Sequence, residues 1–161
     1  MDPIKIFTTG GSIDKIYSTQ SSQFVVGAPQ AGAILADANV TCAYEIEALL
    51  AKDSLEINDE DRERIVARVR GEPSTRILIT HGTDTMVNTA LALTDISGKV
   101  IVLTGAMQPA AFKRSDAAFN LGFALAALQT LPEGVYIAIN GCIFDPLRAR
   151  KNLQLDRFEE I

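Results

Sequence analysis

Short apolar runs recur along the chain, and most of them end on glycine or on a polar turn. Residues 4–8, 77–80, 100–104 and 135–139 are rich in isoleucine and valine. That pattern predicts strands covered on both faces. Residues 44–50 make a weaker strand, because Glu45 and Glu47 alternate with Ile46 and Ala48. Helical spacing fills the gaps. A short helix is expected over 31–38. A longer one starts at Asn58 and runs to Arg70, with Asp61 placed for a capping box and Ile65, Val66 and Val69 on one apolar face. Two more helices are expected over 85–94 and 115–128, the first capped by Thr83 or Asp84.

Strands alternating with helices predict an α/β fold: an open, mostly parallel sheet with helices on both faces, Rossmann-like and three-layered, as a single domain over residues 1–161. In such a sheet the carboxyl ends of the strands share one edge, where ligands bind. The polar clusters nearly all follow strands: 9–12, 53–54, 83–84, 106–108 and Asn140. One site is therefore expected at that edge. Residues 14–30, with Ser18, Thr19, Gln20, Ser21, Ser22 and Gln23, predict a long polar loop of the kind that closes over a site as a lid.

Segment 117–128 has Asn120 as its one polar residue. A helix apolar all round needs cover on every side. This predicts a homo-oligomer, a dimer or larger, with Ala118, Gly122, Ala126 and Ala127 small enough for close helix approach. Cover by the tail, 147–161, is the alternative.

Composition narrows the partners. With 161 residues the chain can bury a core without staples. A net charge of −5 with no basic stripe argues against nucleic acid. Cys42 and Cys142 lack metal-site spacing and His81 is the single histidine, so no metal or other cofactor is expected. The first residues carry no signal-peptide pattern, and no apolar run approaches the roughly 18 residues a membrane span needs. A cytoplasmic protein acting on a small molecule, away from membranes, is the expectation.

A hydroxyl attacks a carbonyl only when a neighbour takes its proton. Ser12, Thr9, Thr83 and Thr85 are hydroxyls on the shared edge, and His81, Asp84 and Lys151 are candidate bases. Hydroxyl, acid and lysine together suit acyl transfer, most simply amide hydrolysis. His81 follows directly on a buried strand, where a hydrogen-bonded structural histidine is the competing reading. Taken singly, Lys151 reads as a surface residue and Ser54 as a turn residue.

Residues 8–13, Thr-Thr-Gly-Gly-Ser-Ile, and 80–86, Thr-His-Gly-Thr-Asp-Thr-Met, resemble the two active-site signatures of bacterial-type L-asparaginases. The resemblance continues in order through Asp53-Ser54, Gly105-Ala106-Met107, Ser115-Asp116, Phe119-Asn120, Asn140 and Lys151-Asn152. It implies a short, single-domain form corresponding to the family's N-terminal domain. It also implies hydrolysis of L-asparagine to L-aspartate and ammonia through an acyl-enzyme, without metal or cofactor.

By the same resemblance Ser12 stands where the family has its threonine nucleophile, Thr83 matches the second threonine, and Asp84 and Lys151 match its acid and lysine. Asp84 would also bind the α-ammonium and Ser54 the α-carboxylate. The carbonyl of Ala106 would receive the side-chain amide. Two backbone N–H groups near Ser12 and Thr83 would hold the oxyanion, with Gly11 among the substrate-binding residues.

Three departures stand out. Ser12 lacks the methyl group that fixes a threonine rotamer. Leu55 replaces a polar residue at the carboxylate end, which favours asparagine over glutamine. Phe24 falls where a loop tyrosine is expected, leaving Tyr17 as the substitute. The alternatives are a non-catalytic amino-acid sensor, a glutaminase or another serine-dependent amidase.

Overall fold

The computed structural model describes residues 2–161. In chain order the first half holds β1 (Ile4–Gly10), β2 (Lys15–Ser18), β3 (Gln23–Val26), α1 (Ala31–Asp37), β4 (Tyr44–Lys52) and α2 (Asp59–Gly71). Then follow β5 (Arg76–Thr80), α3 (Met86–Ala92), β6 (Val100–Thr104), α4 (Ala117–Thr130), β7 (Gly134–Ile139) and β8 (Cys142–Phe144). The last elements are β9 (Ala149–Asn152) and β10 (Arg157–Glu160).

Six strands make one sheet in the order β4-β1-β5-β6-β7-β8. All neighbours run parallel except the β7–β8 pair. Alternate residues of each strand feed two apolar layers. Ile4, Ile6, Leu78, Val102 and Ala138 pack against Leu35 of α1 and Leu121 and Leu128 of α4. Phe7, Ile77, Ile79, Ile101 and Leu103 pack against Ile65 and Val69 of α2 and Met86 and Ala90 of α3. This is the expected three-layer α/β arrangement.

The chain leaves β1 for β4 on one side and returns to β5 on the other. The order therefore reverses between β1 and β5, and a crevice opens outside their carboxyl ends. The strands there end level: Thr8 pairs with Thr80, and Thr80 with Thr104. In-register ends bring the turns after β1, β5 and β6 to one height.

Element by element, α2 follows its sequence closely. Asn58 accepts from Asp61 N–H at 2.9 Å, and Asp61 accepts from Asn58 N–H at 3.2 Å. Segment 14–30 differs from its expected form. It folds as an antiparallel hairpin, with Lys15 opposite Val26 and Ser18 opposite Gln23. Of the polar residues that suggested a loop, Ser18 and Gln23 close the ladder and residues 19–22 form its turn, where Ser22 takes φ 55°.

The tail also gains structure beyond its reading as a basic run. β8 adds an antiparallel edge strand, and β9 and β10 form a hairpin. Its Phe158 packs with Phe144 in the α2/α3 layer, so the tail does not cover α4. Along α4 the residues Ala118, Gly122 and Ala126 are exposed, and Phe119 is 63% exposed. Its inward face alone is buried in the chain.

Candidate active site

Two glycine turns form the floor of the crevice. Gly10 and Gly11 adopt φ 101° and 84°, a region where side chains are strained. A Cβ on Gly11 would overlap the backbone of Gly82, and one on Gly82 would meet the side chain of Ser54. Three turns, from β1, β4 and β5, therefore nest backbone against backbone. The Gly11 N–H donates to Lys52 O at 2.9 Å. It is already engaged, so an anion at this turn would face the N–H of Ser12, the first residue of a 3-10 turn (Ser12–Asp14).

Thr83 and Asp84 do not cap α3. Its N-cap is Thr85, which makes no side-chain capping bond. Thr85 instead donates its hydroxyl to Ser54 O at 2.8 Å, tying the β5 turn to the one after β4. Thr83 and Asp84 are thereby free for another partner. Lys151 on β9 supplies it: its Nζ donates to Thr83 Oγ1 at 2.8 Å and to Asp84 Oδ1 at 2.8 Å. The Lys151 side chain is only 14% exposed. An ammonium so enclosed needs the carboxylate as counter-charge.

Ser12 is half-buried at the crevice, and the ammonium of Lys151 bonds Thr83 and Asp84 rather than Ser12. Ser54 is buried in its turn, where Asp53 caps the Leu55 N–H, and Leu55 itself is exposed. Ala106 is buried. Its loop is held by Asp116, which accepts from the N–H groups of Met107 and Gln108 at 2.9 and 3.0 Å. Tyr17 and Phe24 face each other across the hairpin with ring centroids 5.5 Å apart, and Phe24 continues to Phe112 at 5.6 Å. These rings form an exposed aromatic row.

His81 is fully buried. Its Nδ1 lies 2.7 Å from Gly82 O, which can only accept, and its Nε2 lies 2.8 Å from Thr89 Oγ1. Nδ1 therefore donates and Nε2 accepts. Burial pushes its pKa down to about 4. The ring is neutral and structural, wedged beneath the turn. Because the native state refuses the proton that the unfolded chain takes up below its ordinary pKa of 6.5, His81 makes stability fall as pH drops from 6.5 toward 4.

Two acids near the β1 and β4 turns, Asp53 and Asp14, have structural roles that spacing alone does not assign. Asp53 pairs with Lys15 at 2.7 Å, and that ammonium, followed by the Leu55 N–H, holds its carboxyl below the usual range. The pair latches the β2–β3 hairpin to the turn after β4. Asp14 is almost fully buried and accepts from Gln30 N–H at 2.9 Å, while its carbonyl accepts from Gly27 N–H at 2.8 Å. It thus closes the base of the hairpin. The available signal for Asp14 is thin: a single carboxylate between Ile13 and Lys15.

Burial raises the pKa of Asp14 from 3.8 to about 6. The native state keeps a proton that the unfolded chain releases. Stability attributable to this group is present below 3.8 and is lost as pH rises toward 6. Asp14→Asn keeps an acceptor for Gln30 and removes the buried charge. It is expected to raise the melting temperature at about pH 8, with the gain fading by about pH 4. Equal shifts at both pH values would mean that Asp14 carries no buried charge.

Fold and site together define a doubly wound α/β domain with hydroxyls, a lysine and a carboxylate gathered where the strand order reverses. The chain belongs to the asparaginase family, matching its N-terminal domain over residues 3–160. It is 34% identical over 152 residues to a protein of Haemophilus influenzae described as "Probable L-asparaginase periplasmic", covering 85% of this chain and 42% of that one. The solved structure of the thermostable L-asparaginase from Thermococcus kodakarensis superposes with a TM-score of 0.82 at 30% identity, over 99% of this chain and 51% of that one. A shorter match, 42% identical over 73 residues, is to a glutamyl-tRNA(Gln) amidotransferase polypeptide of Methanococcus vannielii, over 44% of this chain and 17% of that protein. The chain spans about half the length of the L-asparaginases it matches.

Proposed function

We propose that the protein hydrolyses L-asparagine to L-aspartate and ammonia. The supporting observation is Lys151 Nζ bonded at 2.8 Å to both Thr83 Oγ1 and Asp84 Oδ1, beside the Gly11–Ser12 turn of an asparaginase-family domain. Ser12 Oγ attacks the side-chain amide carbon. Its proton passes into the cluster of Thr83, Lys151 and Asp84 and from there to the departing nitrogen, which leaves as ammonia. Backbone N–H groups of Ser12 and Thr83 hold the oxyanion meanwhile. Water then cleaves the ester, releasing aspartate and restoring Ser12. Asp84 and Ser54 hold the α-ammonium and α-carboxylate, and the Ala106 carbonyl receives the amide.

The test is ammonia release by pure protein from asparagine and from glutamine. A higher kcat/KM for asparagine is the expected outcome, and no release from either amide sinks the proposal in favour of an amino-acid sensor. The match to the amidotransferase supports a second reading, an amidase acting on another amide, which asparagine-blind but glutamine-active protein would favour.

Two structural roles belong to the same reading. The β2–β3 hairpin, latched at Asp14 and Asp53, serves as the lid, so aspartate slows proteolysis between residues 15 and 26. The exposed stripe of α4, Ala118, Phe119, Gly122 and Ala126, seats a second copy of the chain. Sedimentation at low micromolar concentration as a fully active monomer would exclude that. The working location is the cytoplasm, as in the description of a Campylobacter jejuni structure, "Probable Cytoplasmic L-asparaginase", which superposes with a TM-score of 0.77 at 28% identity. No helix of the described residues is long and apolar enough to cross a membrane.

A further inference from the structure

Lys151 sits on a four-residue strand, and something must hold that strand at the right height above Thr83. The β9–β10 ladder places Phe158 directly opposite Lys151. Directly opposed residues of an antiparallel pair project to the same face, so fixing one fixes the other. The Phe158 ring is buried against Phe144, with centroids 6.2 Å apart. Its N–H does not enter the ladder: it donates to Asn140 Oδ1 at 2.9 Å.

Asn140 follows β7 and holds φ 55°, a conformation that costs most side chains about 1 kcal/mol but suits asparagine. Its own N–H donates to Asn120 Oδ1 at 3.2 Å. Asn120 is buried on α4, and its amide nitrogen donates to Gly105 O at 3.0 Å and to Asp116 Oδ2 at 2.9 Å. A continuous set of hydrogen bonds therefore runs from the loop bearing Ala106, through Asn120 and Asn140, to the residue opposite Lys151. No step of the proposed reaction uses these amides.

We propose that Asn140 is a positioning residue for Lys151: its side-chain oxygen, seated by Asn120, pins Phe158 and thereby sets the lysine against Thr83 and Asp84. The linkage also fixes the spacing between the amide-receiving loop and the lysine. The inference rests on the proposed hydrolysis for its kinetic consequence, but the placement can be read without turnover.

Two substitutions separate the side chain from the backbone. Asn140→Gly keeps the left-handed conformation and deletes the oxygen. Asn140→Asp keeps an acceptor in the same place. In the full chain Asn140→Gly is expected to speed hydrogen exchange at the Phe158 amide and to raise the rate at which trinitrobenzenesulfonate labels Lys151. It should lower kcat up to about 10²-fold, because small misplacements of a reacting group are costly. KM should stay within about twofold, since the loss belongs to the transition state. Asn140→Asp should restore all of these readings.

Unchanged exchange and labelling in Asn140→Gly overturn the proposal, as does a kcat loss that Asn140→Asp fails to rescue. If the wild-type protein releases no ammonia, the hydrolytic reading fails, while exchange at Phe158 and labelling of Lys151 still decide the positioning role.

Discussion

Exchanging Lys151 for methionine is expected to lower kcat for asparagine roughly 10²–10⁴-fold, with a far smaller change in KM. Methionine keeps the apolar stem and approximate length but brings no charge and no donor. Thr83 loses the N–H that bonds its hydroxyl at 2.8 Å, and Asp84 loses its counter-charge at the same distance. The stem is mostly buried, so the fold should persist. Steady-state kinetics against asparagine decide the matter. Proportional changes in kcat and KM would reduce Lys151 to a binding residue, and wild-type values would make the observed cluster irrelevant to chemistry.

Gly11→Ala is expected to damage both stability and turnover although it adds a single methyl group. Two costs combine. A side chain at φ 84° is strained, and the new Cβ falls on the backbone of Gly82, which cannot swing aside as a side chain would. Strain alone costs about 1–3 kcal/mol, and the overlap adds to it. The turn carrying Ser12 must move away from the one carrying Thr83, so denaturant unfolding and asparagine turnover should both suffer. Unchanged stability would show that the two turns are not nested as described. Gly71→Ala, at the exposed end of α2 with nothing near the added carbon, is the control.

The sheet is legible because its signal is local. Strands covered on both faces need continuous apolar runs, and residues 77–80 and 100–104 supply them almost without interruption. The capping box at Asn58 is likewise written within four residues. What escapes depends on contacts between distant residues. The β2–β3 hairpin alternates weakly and is held by Asp14 and by the Lys15–Asp53 pair, 38 positions apart. The short strands β8 to β10 carry no periodicity long enough to register. Capping of α3 departs from its local signal for a related reason. Thr83 and Asp84 fit the local rule for an N-cap, but a lysine 68 and 67 positions onward claims them. His81 shows the same limit from the other side. Its two hydrogen bonds, one of them to Thr89, distinguish a structural ring from a base, and no spacing reveals them.

The hairpin that carries Lys151 also sets the order in which competence appears and disappears. Two four-residue strands are marginal on their own and depend on what they dock against. That docking surface, Phe144 and the end of β7, exists only after the parallel sheet has assembled. Pairings between such distant segments form slowly, because loop closure precedes any reward from contact. A folding chain would therefore own its crevice, its glycine turns and its Thr83 before it owns a lysine to work them. On heating, the sequence reverses. The hairpin is expected to detach while the central strands are still paired, so that asparagine hydrolysis should be lost at a lower temperature than the far-ultraviolet circular dichroism. Coincident losses would show that the hairpin unfolds with the sheet.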